Sequence, residues 1–571
     1  MPDHELTRRE MLLLGLAAPV WAALARRPLP MNIFTLEPRL DRYGGILGSG
    51  RGAVRHAEGG MERFRTAKAA GRWRLLTPDG HVYWMLGVFD VDLSATRFHG
   101  HFSQRDLSLA KYGNEIVWAR QAVRRLRGWG FNCLAEYASE YALPVPLYGR
   151  AGNAETMPFM AMIRPSRFSL TNRWNYAPGA VKDIVAGTDP AVYLGWRGST
   201  TPDVFDPNFA AYAAQEADAL AHHLGHASDM VGISTDDADD IYGFGPGPEP
   251  HVARLHPHIG WLVLVTNSAQ THNPALGVRY SDIRVHAKLA LRDFLQQRYT
   301  TLASLNQAWG ARYTSFDSDG GWPHGLGLLD ESGRSAWLGQ DGTRMRGARA
   351  AVRDDLDGFL FAYAAAYFQA TTTALHRAFP GFLVFGPATL NGWNGLTRAP
   401  ILRAAGAALD VVQANAATDA ILERTVAACG DVPLVTWTGM AANADSDLYA
   451  FPHPGAGAPQ YATQQERGAV YAATLTAEFT RSVHGSCPIV GTKFWAFADS
   501  WAEKMNWGLV SLHDNAYDGV QAVRRPSRDR WGFPTGGEAR DYGDSLSAIG
   551  ACNRKIYRQL GEESKKVRAS A

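Results

Sequence analysis

The chain has 571 residues, 46% of them hydrophobic and 20% charged, the composition of an ordinary globular protein. Lys and Arg number 57 against 55 Asp and Glu, so the basic excess expected of a nucleic-acid or polyanion binder is missing, and no nucleic-acid partner is expected. The length exceeds one small domain but suits a single elaborated barrel, which with insertions can pass about 400 residues.

At the N-terminus, Thr7-Arg8-Arg9-Glu10-Met11-Leu12 leads into an apolar run from Met11 to Ala25, and Ala23-Leu24-Ala25 offers a small-x-small cleavage site. Paired arginines, a short apolar core and that site describe a twin-arginine signal peptide over residues 1–25. The run falls short of the roughly 20 apolar residues a bilayer span needs, and no later stretch reaches it. A periplasmic or secreted protein without a stable membrane span after cleavage is expected; an uncleaved N-terminal anchor is the other reading. Residues 26–65, rich in Gly, Pro and Arg, read as a lead-in segment.

Residues 66–560 carry the main body. Arg72–Leu76 and His81–Val88 alternate around Pro78-Asp79-Gly80, a hairpin signal. Its second run flows into Phe89-Asp90-Val91-Asp92, which sets two carboxylates just past a strand end. A helical stretch, Asn114 to Arg127, is followed by the short apolar strand Gly130–Tyr137, and Pro158–Ile163 reads as the next. Asp206-Pro207 caps a long helix, and the strand Met230–Thr235 runs into acids. Residues 240–345 look like an insertion. Alternation resumes with a helix Asp355–Ala378 and strands at Phe382–Gly386, Ala408–Gln413, Pro433–Trp437 and Gly491–Phe497, and residues 561–571 form a polar tail. Eight strands separated by helices, apolar on both faces, point to an α/β fold of the (β/α)8 TIM-barrel type. An open doubly wound sheet is the rival, but no G-x-G-x-x-G follows its first strand. Cys133, Cys429, Cys487 and Cys552 are widely spaced, so they are read as buried thiols or one or two disulfides, with no metal site.

Several segments resemble the β-agarases and related β-galactosidases of the large barrel clan of retaining glycosidases. They are Leu126-Arg127-Gly128-Trp129-Gly130-Phe131-Asn132, Asp203–Phe209, the Phe294–Phe316 stretch with Tyr299, Leu305-Asn306 and Ala308-Trp309-Gly310, Gln464–Gly468, and Glu503–Val510 followed by Asp514 and Tyr517. The resemblance implies a glycoside hydrolase acting on a poly- or oligosaccharide without a cofactor. It also implies a Glu at the ends of the fourth and seventh strands, and neither is there. The fourth reads Ser234-Thr235-Asp236-Asp237-Ala238-Asp239-Asp240 and the seventh Val435-Thr436-Trp437-Thr438-Gly439.

Cleaving a glycosidic bond needs a proton donor and a second carboxylate that attacks the sugar or activates water. Asp236 and Asp237 lead the catalytic candidates, because clustered carboxylates raise one another's pKa and retain a proton. The same cluster also fits a solvated loop, a helix cap or a cation site. Glu503 and Glu136 are the candidate partners, and an ion pair is the alternative role for Glu136. Asp90, Asp92, Asn415 and Asp499 are placed to hold sugar hydroxyls, and Trp437, Trp495 and Trp501 to stack on sugar rings. Without a strand-seven nucleophile, an inverting mechanism is the simplest repair; a glycan-binding barrel that lost catalysis and a glycosyl-transferring variant are the competing readings.

Overall fold

The computed structural model describes residues 39–49, 63–98, 102–168, 202–225, 227–236, 286–316, 349–388, 390, 399–415, 419–438, 463–500, 507–512, 514 and 542–569, with the short strand pairs 272–273/278–279 and 442–443/460–461. The expected signal peptide and Asp237, Trp501 and Glu503 lie outside the described residues.

Eight parallel strands form the central sheet: β1 Met85–Val88, β2 Cys133–Leu134, β3 Phe159–Ile163, β4 Met230–Thr235, β5 Val384–Gly386, β6 Val412–Gln413, β7 Leu434–Thr438 and β8 Ile489–Phe494. Their order is β5-β4-β3-β2-β1-β8-β7-β6. Between the end strands, the Leu390 N–H donates to Gln413 O at 2.9 Å and the Asn415 N–H to Leu390 O at 2.7 Å. That bridge closes the sheet into a (β/α)8 barrel, and all eight expected strands are present. The run expected as one strand through Val88 is split at Trp84. Val82–Tyr83 pairs antiparallel with Arg72–Leu76, and Arg65–Ala69 adds a third strand to that hairpin, at the end of the expected lead-in.

The apolar runs are buried on both faces because one face meets helices and the other fills the barrel. Met85, Cys133, Met160, Val231, Phe385, Val411, Val435 and Val490, one from each strand or the residue just before it, pack together as an interior layer. The helices supply the outer wall. They are α1 Gln104–Tyr112, α2 Glu115–Gly128, α3 Pro207–Leu224, α4 His286–Tyr299, α5 Leu302–Trp309, α6 Ala350–Ala378, α7 Ala399–Ala408, α8 Asp419–Cys429, α9 Gln464–Val483 and α10 Gly543–Ala569. α2 starts where the Asn114 side chain accepts from Val117 N at 2.9 Å, and its buried face carries Trp118, Ala119, Ala122, Val123 and Leu126. α10 runs on through most of the expected polar tail, since Leu546, Ile549, Ile556, Tyr557 and Leu560 recur at helical spacing on its buried face.

The agarase-like motifs turn out to hold the architecture together. Asn132 accepts from Leu86 N at 2.7 Å and donates to Trp84 O at 2.9 Å, stitching β2 to β1. Asp206 caps α3, while Asp203 reaches across the chain and accepts from His286 N at 2.6 Å at the start of α4. Tyr299 and Trp309 converge on the buried Asp355 of α6, at 2.5 and 2.7 Å, which fastens α4 and α5 to the barrel wall. Arg125 pairs with Asp514 at 3.0 Å, both nearly fully buried. The four cysteines are free thiols, three of them buried.

Candidate active site

The carboxyl ends of the barrel strands form the mouth where such folds build their sites. Just inside it, four polar side chains from the even-numbered strands meet. Glu136, two residues past β2, accepts from Lys493 of β8 at 2.9 and 3.1 Å and from Ser234 of β4 at 2.5 Å. Gln413 of β6 donates to Ser234 at 3.0 Å and accepts from Lys493 at 2.5 Å. Lys493 also donates to Ala388 O at 2.9 Å and sits 4.2 Å from the Phe89 ring centre. Contributions from alternate strands are the normal way barrel interiors are layered, but this layer is polar and closed on itself. The Glu136 and Lys493 side chains are 0% and 1% exposed, so each charge depends on the other.

Over this ring lies an aromatic floor. Phe89, Trp437, Trp495 and Trp507 pack with Ala135, Ala388 and Ala496, and Tyr137 joins them at the edge. Phe89 lies 5.7 Å from Trp437 and 5.2 Å from Trp495, and the two indoles are 5.6 Å apart and nearly perpendicular. Trp437 is 8% and Trp495 6% exposed, and the indole N–H of each is buried without a hydrogen-bond partner among the described residues. A buried donor left unpaired is costly, so two such groups near the mouth are suited to an incoming acceptor.

Three strand exits bend through left-handed backbone: Asp90 at φ 55°, Tyr137 at 66° and Asp236 at 57°. Aspartate tolerates this region; a bulky tyrosine does so at a cost. Asp90 is half-buried and its N–H donates to Glu136 O at 3.1 Å, so β1 and β2 turn outward together.

Asp236 is fully buried. It accepts from Ser166 N at 3.1 Å and Ser166 Oγ at 2.7 Å, and from the Tyr367 hydroxyl of α6, which joins the exits of β3 and β4 to the outer wall. Asp499, 2% exposed, accepts from Gly508 N at 2.8 Å and from Tyr542 at 2.6 Å and so anchors the segment that follows β8. Asp92 is at the surface; partial loss of solvent raises its pKa, and the Leu93 N–H and Ser139 hydrogen bonds oppose the shift. Asn415 is half-buried beside the Leu390 bridge. The structure thus gathers Glu136, Trp437 and Trp495 at one centre with Asp90 at its edge, and sets Asp236 and Asp499 to its sides.

Sequence reasoning missed Lys493, Gln413, Ser234, Phe89 and Trp507. The alternation in Thr492-Lys493-Phe494-Trp495 held the signal for Lys493: Thr492 lies beside Glu478 of α9, so the next residue faces the interior with Trp495. On the outer side of β7, Thr436 donates to Glu478 at 2.8 Å, and burial pushes that carboxyl up to about 8.

No protein-family model matches the chain. It is similar to β-agarase A of Vibrio sp. (strain JT0107), 25% identical over 435 residues that make up 72% of this chain and 35% of that protein, so it spans about a third of this relative's length. Among solved structures it is similar to the agarase AgWH50C, at a TM-score of 0.61 and 18% identity over 98% of this chain and 72% of that one. An exo-β-agarase matches at 0.60 and 18% over the same shares. PfGH50B matches at 0.60 and 16%, over 98% of this chain and 73% of that one. The chain has the (β/α)8 barrel fold of these agarases.

Proposed function

We propose that the chain is an exported glycoside hydrolase that cleaves a poly- or oligosaccharide by carboxylate acid/base chemistry with inversion. One observation carries the reading: the strand-end mouth of an agarase-like barrel is floored by Trp437 and Trp495, whose buried indole N–H groups lack acceptors among the described residues. Flat apolar rings with adjacent donors suit a sugar, which offers an apolar face and hydroxyl acceptors. The agarases it is similar to make agarose the first substrate to test. The paired Arg8-Arg9 and the apolar run after them support export by the twin-arginine route.

In this proposal Asp237 donates the proton to the leaving oxygen and Glu503 activates water. An inverting pair stands roughly 6.5–9.5 Å apart to leave room for that water. Asp236 is a positioning residue, since its carboxylate is engaged by Ser166 and Tyr367 and has no exposed surface. Glu136 takes a comparable role: paired with Lys493, it fixes the ring under the floor. Trp437, Trp495 and Trp501 stack on sugar rings, and Asp90, Asp92 and Asn415 hold hydroxyls. The test is reducing-sugar release from agarose and a polysaccharide panel, with Asp237→Asn and Glu503→Gln each lowering kcat by about 10²–10⁴-fold. Unchanged rates in both variants would remove the assignment.

One observation favours a second reading. The last inward-facing position of β7 holds Trp437, and no residue of that strand is a carboxylate. A barrel that binds glycans without cleaving them fits this feature, and it would retain oligosaccharide affinity while releasing no reducing ends.

A further inference from the structure

At the opposite end of the barrel, where Asn132 and Pro158 lead into β2 and β3, lies a cavity of about 390 Å³ between the 39–47 segment, the end of α2 and α10. Arg39, Arg42 and Arg127 line it, with Leu47, Phe131 and Met157 supplying apolar wall. None of the three arginines is ion-paired among the described residues. Arg42 donates to the Tyr43 hydroxyl and Arg127 to Thr156 O, while the Arg127 Nε is buried with no hydrogen-bond partner.

The nearby carboxylates are largely spoken for. Asp41 accepts from Tyr43 N at 2.9 Å, Gly45 N at 2.8 Å and Thr77 Oγ1 at 2.7 Å. Glu155 is held by Arg124 at 2.7 Å. Asp229 faces both Arg42 and Arg127, and loss of solvent still lowers the Arg127 pKa against the pull of Glu155 and Asp229. In the cavity lining itself three guanidiniums stand against one carboxylate, Asp41. Guanidinium forks match planar or tetrahedral oxyanions better than any other common ligand group.

We infer that this cavity is a binding site for a small molecule carrying a single carboxylate or sulfate, with an apolar flank against Leu47, Phe131 and Met157. It lies at the other end of the barrel from the strand-end mouth and does not depend on the hydrolase reading. A sugar acid and a free inorganic oxyanion share the chemistry, and the choice of probes separates them.

The experiment is isothermal titration of the full chain with galacturonate, sodium sulfate and galactose. Galacturonate is expected to bind with Kd near 1 mM, with galactose at least about tenfold weaker. Tighter binding of galacturonate than of sulfate identifies an organic acid as the ligand; equal binding identifies the free oxyanion. Arg127→Gln and, separately, Arg42→Ala are each expected to weaken the anion at least about tenfold, with thermal midpoints near that of the parent chain. No heat from either anion up to about 10 mM, equal affinity for galactose, or anion binding unchanged in both folded variants would overturn the site.

Discussion

The ammonium of Lys493 lies 2.9 Å from the Glu136 carboxylate, the two joined across 357 residues of sequence in the middle of the barrel. A pair this buried stabilises little in net terms, because desolvation offsets its attraction, yet breaking it strands a charge. Glu136→Gln and Lys493→Met are therefore each expected to cost about 3–5 kcal/mol in urea unfolding. The double variant is expected to recover most of that loss. Additive losses would mean that the two groups do not depend on each other.

Asp236 and Tyr367 tie the exit of β4 to α6. Tyr367→Phe removes one hydrogen bond to a fully buried carboxylate, and a loss of about 1–3 kcal/mol is expected. Because Asp236 is assigned to positioning, Asp236→Asn should lower kcat while leaving the shape of its pH profile unchanged. A lost ionisation limb in that profile would instead make Asp236 the acid.

Asp355 gathers Tyr299, Trp309 and Arg298. Asp355→Ala leaves a buried indole N–H and a tyrosine hydroxyl without their acceptor, a cost of about 3 kcal/mol. The loss should be local. Limited proteolysis is expected to cut within residues 286–316 well before the barrel, and uniform cutting would argue that these helices are not separately pinned.

The Glu478 carboxyl, pushed up to about 8 by burial, stays protonated in the folded chain at pH values where the unfolded chain ionises it. Its contribution is fully present below the ordinary value of 4.5 and falls as pH rises toward 8, then levels off. The slope is at most about 1.4 kcal/mol per pH unit. Glu478→Gln should flatten the unfolding free energy between those limits, and an unchanged slope would assign it to other groups.

The barrel was legible because its signal is local. Each strand is an apolar run bounded by helix caps and turns, so runs such as Met230–Thr235 and the Asp206 cap could be read one by one. The site was legible only in part, because its contacts are long-range. Glu136 reads as a rim carboxylate until Lys493 is brought beside it, and Asp499 reads as a sugar ligand until Tyr542 and Gly508 claim it. The segments that resemble agarases carry the resemblance through the scaffold: Asn132, Asp203 and Trp309 satisfy backbone and buried polar groups, a demand set by the fold whatever the reaction.

The most direct test of the central claim follows the anomeric protons by NMR while the full chain acts on agarose oligosaccharides. The account predicts new reducing ends whose first-formed anomer is opposite in configuration to the cleaved linkage. First-formed product of the same configuration, or binding with no new reducing ends, would contradict it.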